Sequence, residues 1–214
     1  MWEDILKSYD ELVYIPMSSG LSGSCKAAQY FAEAYDGRVL VADNHRISVT
    51  LYEAVKEARA LAEQGVAGAE IKEYLERTGA DSSIYITVNS LEYLKRSGRV
   101  TAAGAAIANV LNLKPVLTIQ GEKLDAYAKV RGMKASQKRM IEATKSDVEN
   151  RFKGRAVRIG AAGTFEKAED AEAWRQKLAE AFPGVDVYYQ PLSCSIACHV
   201  GIDAAGLGIS CIGV

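Results

Sequence analysis

The N-terminal part of the chain alternates short apolar runs with amphipathic segments. The runs "ELVYIPM" and "DGRVLVAD" predict strands, the first nearly continuous, as in a strand buried on both faces. Helical spacing follows in "CKAAQYFAEAY", in "SVTLYEAVKEARALAEQG", which ends at Gly65, and in "GAEIKEYLERTGA". Because parallel strands are joined by crossover helices, this alternation predicts a parallel sheet.

The pattern changes after about residue 80. "SSIYITVN", "AVRIGAAGT" and "VDVYYQPLS" predict strands, and "KPVLTIQGEKLDAYAKV" predicts a hairpin with "QGEK" at its turn. Helices are predicted in "SLEYLKRSG", "TAAGAAIANVLNL", "SQKRMIEATKSDVENRFK" and "KAEDAEAWRQKLAEAF", and "ACHVGIDAAGLGISCIGV" is interpreted as strands or strand and loop. We therefore predict an α/β protein of two domains. Residues 1–80 form a parallel α/β domain, and residues 81–214 form an α+β domain with a mixed sheet.

Composition removes several classes of function. The 214 residues carry a net charge of −1, so no overall field favours nucleic acid or an anionic membrane. No apolar run reaches the roughly 20 residues that a membrane-spanning helix needs. The N-terminus "MWEDILKSYDE" is acidic where a secretory signal peptide is basic. We expect a cytoplasmic protein that neither binds nucleic acid nor spans a membrane.

The four cysteines are Cys25, Cys194, Cys198 and Cys211, and three of them lie close in sequence to His199. This crowding raises the hypothesis of a metal site. Zinc sites, however, use closer cysteine pairs placed in turns, and these cysteines lie in strand-like sequence. We expect small buried apolar side chains and no metal site, with a metal or redox role as the alternative.

The stretch "MSSGLSGSCKAA" joins the first strand to a helix. Free backbone N–H groups and the positive end of the helix dipole meet at such a junction. Glycines allow close approach and serines add hydroxyl donors, so the loop suits a phosphate or a carboxylate. Helix capping by Ser22 or Ser24 is the alternative. The loop lacks the G-x4-G-K pattern of a Walker loop and the G-x-S-x-G of a nucleophile elbow.

Other polar residues give weaker signals. Arg96, Arg99 and Arg131 lie in polar stretches, where solvated surface is the simplest interpretation and a patch for an acidic partner or a phosphate is the alternative. A serine hydrolase built from Ser19 or Ser22 with His199 has no support in the spacing.

Taken together, several motifs resemble the DegV family. They are "YIPMSSGLSGSCKAA", "VADNHRIS", "LEYLKRSGRV", "LNLKPVLTIQGEKL", "AKVRGMKAS" and "CHVGIDAAGLGISCIG", and they extend from about Glu11 to the C-terminus. The resemblance implies a two-domain fold that holds one long-chain fatty acid between its domains. It also implies a role similar to the acyl-carrying subunit of bacterial fatty acid kinase, which presents the carboxylate to a separate kinase. A non-catalytic carrier with no cofactor besides the bound fatty acid is expected.

The resemblance assigns fatty-acid-binding positions to six residues, which are Ser18, Ser19, Gly20, Arg99, Arg131 and His199. Ser19 is the first choice for the carboxylate, with Ser18 next. His199 matches the family histidine at the head group, and the two arginines match positions near the pocket mouth and the kinase-docking surface.

Two departures from the family pattern stand out. The family motif H-x-G-P-G is "HVGID" here, which places Asp203 near the expected head group. An N-terminal portion that supplies strands and a fatty-acid-binding threonine is also expected to be missing, which would expose a sheet edge and favour a homodimer. A serine-loop enzyme (hydrolase or phosphoryl transfer) and a truncated form that binds no lipid are the alternative functions.

From this assignment we expect that Ser19→Ala weakens fatty acid binding about 10- to 100-fold, as for the loss of one hydrogen bond to a charged group. Displacement of a fluorescent fatty acid measures the change. An affinity equal to that of the unmodified protein would contradict the role of Ser19.

Overall fold

A computed structural model describes residues 1–106 and 113–213. Its strands are β1 (Leu12–Tyr14), β2 (Val39–Val41), β3 (Ser82–Thr87), β4 (Leu113–Ile119), β5 (Asp125–Arg131), β6 (Val157–Gly163), β7 (Val187–Pro191) and β8 (Ala205–Cys211). Strands β1 and β2 form a parallel two-stranded sheet. The other strands of the described residues form a six-stranded sheet in the order β5-β4-β3-β8-β6-β7, and among these strands only β6 and β7 pair in parallel. The predicted mixed α/β fold is confirmed.

Seven of the nine helices in the described residues fall in predicted helical segments, whereas α1 and α9 were not predicted as helices. They are α1 (Trp2–Ile5), α2 (Ser24–Ala32), α3 (Ser48–Glu63), α4 (Gly68–Arg77), α5 (Glu92–Ser97), α6 (Ala102–Ala106), α7 (Met133–Ser146), α8 (Ala168–Ala181) and α9 (Cys194–Val200). A 3-10 turn (Glu33–Tyr35) follows α2 and a π-helical turn (Asp147–Arg151) follows α7. The rest of the segment predicted to continue α6 lies outside the described residues. Within the described ranges, no helix has the length and apolar character needed to cross a bilayer.

Three sequence interpretations are wrong. The stretch from Cys194 to Val200 is helical rather than strand or loop. Cys194 and Cys198 are consequently exposed on α9, whereas Cys25 and Cys211 are buried as expected. Strand β1 is half-buried and spans three residues, so it is not covered on both faces. The predicted domain boundary falls in the turn between α4 and β3 and stays a prediction.

The two faces of the six-stranded sheet are covered differently. Helices α7 and α8 pack on one face, where Met140 and Trp174 join the largest core cluster. The start of α3 packs on the opposite face, where Val49 lies against Gly160 and Gly208. A Cβ atom at either glycine would approach the Val49 side chain to 2.5–2.6 Å, so glycine lets the helix approach the strands this closely. An apolar cavity also lies on this second face.

A buried arginine links α3, the turn before β3 and the serine-glycine loop. Arg46 is 2% exposed, and its Nη1 lies 3.5 Å from the carboxylate of Glu57 on α3. Its Nη2 donates to the Thr78 carbonyl at 2.7 Å, and its Nε donates to the Gly79 carbonyl at 3.3 Å. Burial raises the pKa of Glu57 more than the neighbouring guanidinium lowers it. The Arg46 carbonyl also accepts from the Ser18 amide, so this residue anchors the loop after β1.

We expect Arg46→Met to lower the free energy of unfolding by about 3–5 kcal/mol, because it leaves Glu57 buried without its partner. Urea denaturation measures the loss. Arg59→Ala is the control, since Arg59 pairs with Glu63 on the exposed side of α3 and its loss should cost at most about 1 kcal/mol. Equal losses in the two variants would contradict the anchoring role of Arg46.

Candidate functional site

An apolar cavity of about 170 Å³ lies on the face of the six-stranded sheet that carries α3. Its floor is formed by Ile84 and Ile86 of β3, Ile119 of β4, Ala162 of β6 and Gly206 of β8. In the sheet, Ile86 lies opposite Gly206, and Gly206 lies opposite Ala162. Across the neighbouring strands β3, β8 and β6 this row therefore has one large residue, Ile86, and two small ones. The small side chains leave open space above the sheet.

The walls of the cavity come from segments distant in sequence. Met17 and Leu21 extend from the serine-glycine loop, Val49 from the start of α3, Leu94 from α5 and Ile196 from α9. Of the twenty described residues that line it, fourteen are apolar. Such a cavity suits a hydrocarbon chain, because burying apolar surface is favourable and these walls demand few hydrogen bonds.

Five polar residues line the same cavity, namely Ser22, Ser48, Arg99, Ser195 and His199. Ser195 and His199 are four residues apart on α9, so both side chains lie on the helix face towards the cavity. Arg99 donates through Nη1 to the Ser97 carbonyl at 2.5 Å and through Nε to the Leu21 carbonyl at 3.4 Å. These bonds hold the guanidinium between the end of α5 and the serine-glycine loop.

The serine-glycine loop is hydrogen bonded within the protein. The amides of residues 18–22 donate to the Arg46 carbonyl, to the Asp43 carboxylate and to the hydroxyl and carbonyl of Ser18. Burial disfavours the charge on Asp43, but hydrogen bonds from the hydroxyl and amide of Ser19 outweigh it and lower the pKa of Asp43. The carboxylate that this loop binds is therefore one of the chain's own.

The six predicted binding residues fall in three places. Arg99 and His199 line the cavity. Ser18, Ser19 and Gly20 immediately precede the lining residues of the loop, and Ser18 is fully buried. Arg131 is exposed at the end of β5 and lies outside the cavity lining.

Asp203, the departure from the family motif, is also absent from the lining of this cavity. Its backbone adopts a φ of 56°, and its amide donates to the Thr164 carbonyl at 3.0 Å. The loop after α9 thus holds Asp203 by its main chain, outside the cavity.

Sequence reasoning missed Ser48 and Ser195 and gave Ser22 only a capping or hydrolase role. A correct helix prediction for residues 194–200 would have placed Ser195 beside His199 through the four-residue spacing. Ser48 stands at the start of α3 with a φ of 55°, which no sequence pattern indicated. Its position depends on how the preceding segment returns from the two-stranded sheet.

Two hydroxyls of the loop are hydrogen bonded to backbone groups. The Ser18 hydroxyl donates to the Gly121 carbonyl in the β4–β5 turn, and the Ser22 hydroxyl accepts from the Ser24 amide. Within the part of the chain that the structure describes, neither hydroxyl is hydrogen bonded to a histidine. In the same part, no three histidine, cysteine or acidic side chains are grouped so that they could hold a metal ion.

The loop packs tightly against the β4–β5 turn at Gly20. A Cβ atom there would lie 2.7 Å from the Gly121 carbonyl oxygen and 2.8 Å from the Glu122 Cα, and both of these are backbone atoms. We expect Gly20→Ala to displace the turn and to lower the free energy of unfolding by about 1–3 kcal/mol in urea denaturation.

Gly23→Ala is the matched control for that experiment. A Cβ at Gly23 meets nothing within 4 Å, and its φ of −71° suits alanine, so a change within about 0.5 kcal/mol is expected. If Gly20→Ala proved equally mild, the tight contact between loop and turn would be refuted.

Comparison with known proteins gives consistent matches. A family model described as "Uncharacterised protein, DegV family" matches residues 1–211. A DegV domain-containing protein of Deinococcus radiodurans is 28% identical over 209 residues, which cover 95% of this chain and 71% of that protein. Protein DegV of Bacillus subtilis is 27% identical over 209 residues, which cover 97% of this chain and 73% of that protein. These matches cover most of this chain and do not support the expectation of a missing N-terminal portion.

Solved structures agree with the sequence matches. A DegV family protein from Thermus thermophilus, described for its fatty acid binding, superposes with a TM-score of 0.88 at 28% identity and covers 99% of this chain and 74% of its own. DegV of Bacillus subtilis, described as a fatty acid binding protein, superposes with a TM-score of 0.83 at 25% identity and equal coverage. The chain belongs to the DegV family.

Proposed function

We propose that this protein binds one long-chain fatty acid, with the acyl tail in the apolar cavity and the carboxylate at the polar residues of its lining. The proposal rests on one observation: an arginine, a histidine and serine hydroxyls line the same cavity as a majority of apolar side chains. The similarity to the fatty-acid-binding DegV proteins of Thermus thermophilus and Bacillus subtilis supports the same ligand.

Energetics favour a tail-dominated complex. Each buried methylene contributes about 0.8 kcal/mol, so a dozen contribute roughly 10 kcal/mol before the cost of association, which consumes several of these. The head group contributes less, because its hydrogen bonds replace those with water. It must nevertheless be paired, since an unpaired buried carboxylate is costly. The tail therefore sets affinity and the head sets orientation.

For the head group we propose Arg99 and His199 as the main donors, with Ser22 and Ser195 beside them. Ser18, Ser19 and Gly20 retain a proposed role in fatty acid binding, because they position Leu21 and Ser22 in the cavity lining. The hydroxyl of Ser19, like its amide, bonds to Asp43, so Ser19→Ala would act on the loop's conformation by removing the hydroxyl bond.

The wider role follows from the resemblance and is likewise proposed. The protein acts in the cytoplasm as a carrier without catalysis of its own, and it presents the carboxylate to a separate kinase subunit. Arg131 is exposed at the end of β5, where it is available to an acidic partner surface. Association into a homodimer through a sheet edge is the remaining part of this proposal, because strand β1 pairs only with β2 among the described strands.

We expect His199→Ala to weaken palmitate binding about 10- to 100-fold, the value of one hydrogen bond to a charged group. Binding of hexadecanol, which has the same tail and no charge, should change much less. Displacement of a fluorescent fatty acid measures both ligands.

Cys198→Ser is the control, since Cys198 lies next to His199 on α9 but is exposed. Its palmitate affinity should equal that of the unmodified protein. Absence of fatty acid in native mass spectra of protein purified from cells, combined with no palmitate binding in vitro, would overturn the proposed function.

A further inference from the structure

A second cavity, of about 200 Å³, adjoins the apolar one. Charged and polar side chains make up a larger share of its lining than of the first, among them His45, Thr50, Glu76, Arg77 and Ser82. Arg77, Glu76 and His45 are exposed, so this cavity is in contact with solvent. It is a polar space that offers a hydrocarbon little gain.

The two cavities share a pair of residues. Among the described residues, Ile84 and Ile119 line both of them. The two isoleucines are cross-strand partners on β3 and β4, so their side chains lie side by side on one face of the sheet. Ile84 is buried at 8% exposure and Ile119 is half-buried. The pair therefore forms the partition between an apolar and a polar compartment.

The partition lies away from the α9 end of the apolar cavity. Ile84 is paired with Gly208, three residues along β8 from Ala205, the first residue of that strand. Strands rise about 3.3 Å per residue, so this register places the pair roughly 10 Å along the sheet from the point where β8 begins after α9. His199 and Ser195 lie on α9, before that point. The serine-glycine loop, by contrast, contacts the β4–β5 turn that follows Ile119. An acyl chain whose carboxylate is held by His199 and Ser195, and whose tail follows the sheet, would reach the isoleucine pair with its methyl end.

We propose that Ile84 and Ile119 form the end wall of the acyl site and set the longest chain that the protein accepts. This inference rests on the proposed fatty acid binding and specifies its substrate range. A chain that fits up to the pair buries all its methylenes. A longer chain must push its end against the isoleucines or into the polar compartment, where additional methylenes gain little.

The test is the chain-length profile of Ile119→Ala, measured by displacement of a fluorescent fatty acid with saturated acids of 12 to 20 carbons. Unmodified protein should show an affinity that rises with length and then stops rising. The variant should extend the rise by at least two carbons and bind the 20-carbon acid, relative to the 14-carbon acid, about tenfold better than the unmodified protein does, since one buried methylene is worth roughly a factor of four. Ile84→Ala should shift the profile in the same direction.

Ile119→Phe provides the reciprocal experiment and does not depend on the alanine variants remaining folded. The larger ring at the wall should shift the profile to shorter acids. Ile159→Ala is the matched control, because Ile159 is a fully buried isoleucine of β6 in the core cluster that contains α7 and α8. Its profile should keep the same optimum even if the protein is less stable.

The outcomes separate the two proposals. If the unmodified protein binds none of the acids, the proposed function fails. If it binds them and both Ile119 variants keep its optimum, the end wall is refuted while fatty acid binding stands. A shift in Ile159→Ala equal to that in Ile119→Ala would also refute the end wall, since it would indicate general loosening of the sheet.

Discussion

The site depends on the interactions of the buried Arg46 guanidinium. A charge at 2% exposure is tolerated only because Glu57 and two backbone carbonyls surround it. Those partners belong to α3 and to the turn before β3, so the group joins the helix over the cavity to the start of an interior strand of the six-stranded sheet. Through its carbonyl the same residue holds Ser18, and Ser18 holds Gly121 of the β4–β5 turn. One side of the cavity is thus closed by a chain of polar contacts that begins at a single arginine.

Much of the fold could be predicted because its signals are local. Helix α3 has an apolar face over sixteen residues, and Gly65 beyond its end adopts a φ of +82° that favours glycine. Two runs of strand-forming residues on either side of "QGEK" indicate the β4–β5 hairpin. Helix α9 could not be recognised in the same way. It has seven residues, no side-chain cap, and a composition of cysteine, isoleucine and valine that equally suits a strand. Its helical form is imposed by packing against α5 and the sheet.

The site was harder to predict than the fold, and the serine-glycine loop explains why. The loop is rich in serine hydroxyls and backbone amides that suit an anion, and this composition can be recognised from the sequence. Whether its amides are free depends on which acceptors the rest of the chain brings near. Asp43 lies twenty-four residues away from Ser19 and accepts its amide, and the Arg46 carbonyl accepts the amide of Ser18. Local sequence identifies a donor-rich loop, whereas long-range register determines that these donors serve the protein itself. The same register brings Arg99 and His199, a hundred residues apart, to one cavity.

The cavity exists because two neighbouring rows of small residues on this face of the sheet are covered differently. Gly206 and Ala162 leave space beside Ile86, and a Cβ at Gly206 would meet only ordinary contacts at 3.6 Å or more, so steric need does not explain the glycine there. At Gly160 and Gly208 the opposite holds, because Val49 fills the place of the missing side chains. Glycines on β6 and β8 therefore have two different roles. Gly160 and Gly208 allow α3 to approach the sheet, and Gly206 leaves space for the cavity. The sequence alone cannot tell these glycines apart. Only their position relative to α3 determines whether a glycine admits the helix or leaves space for a ligand.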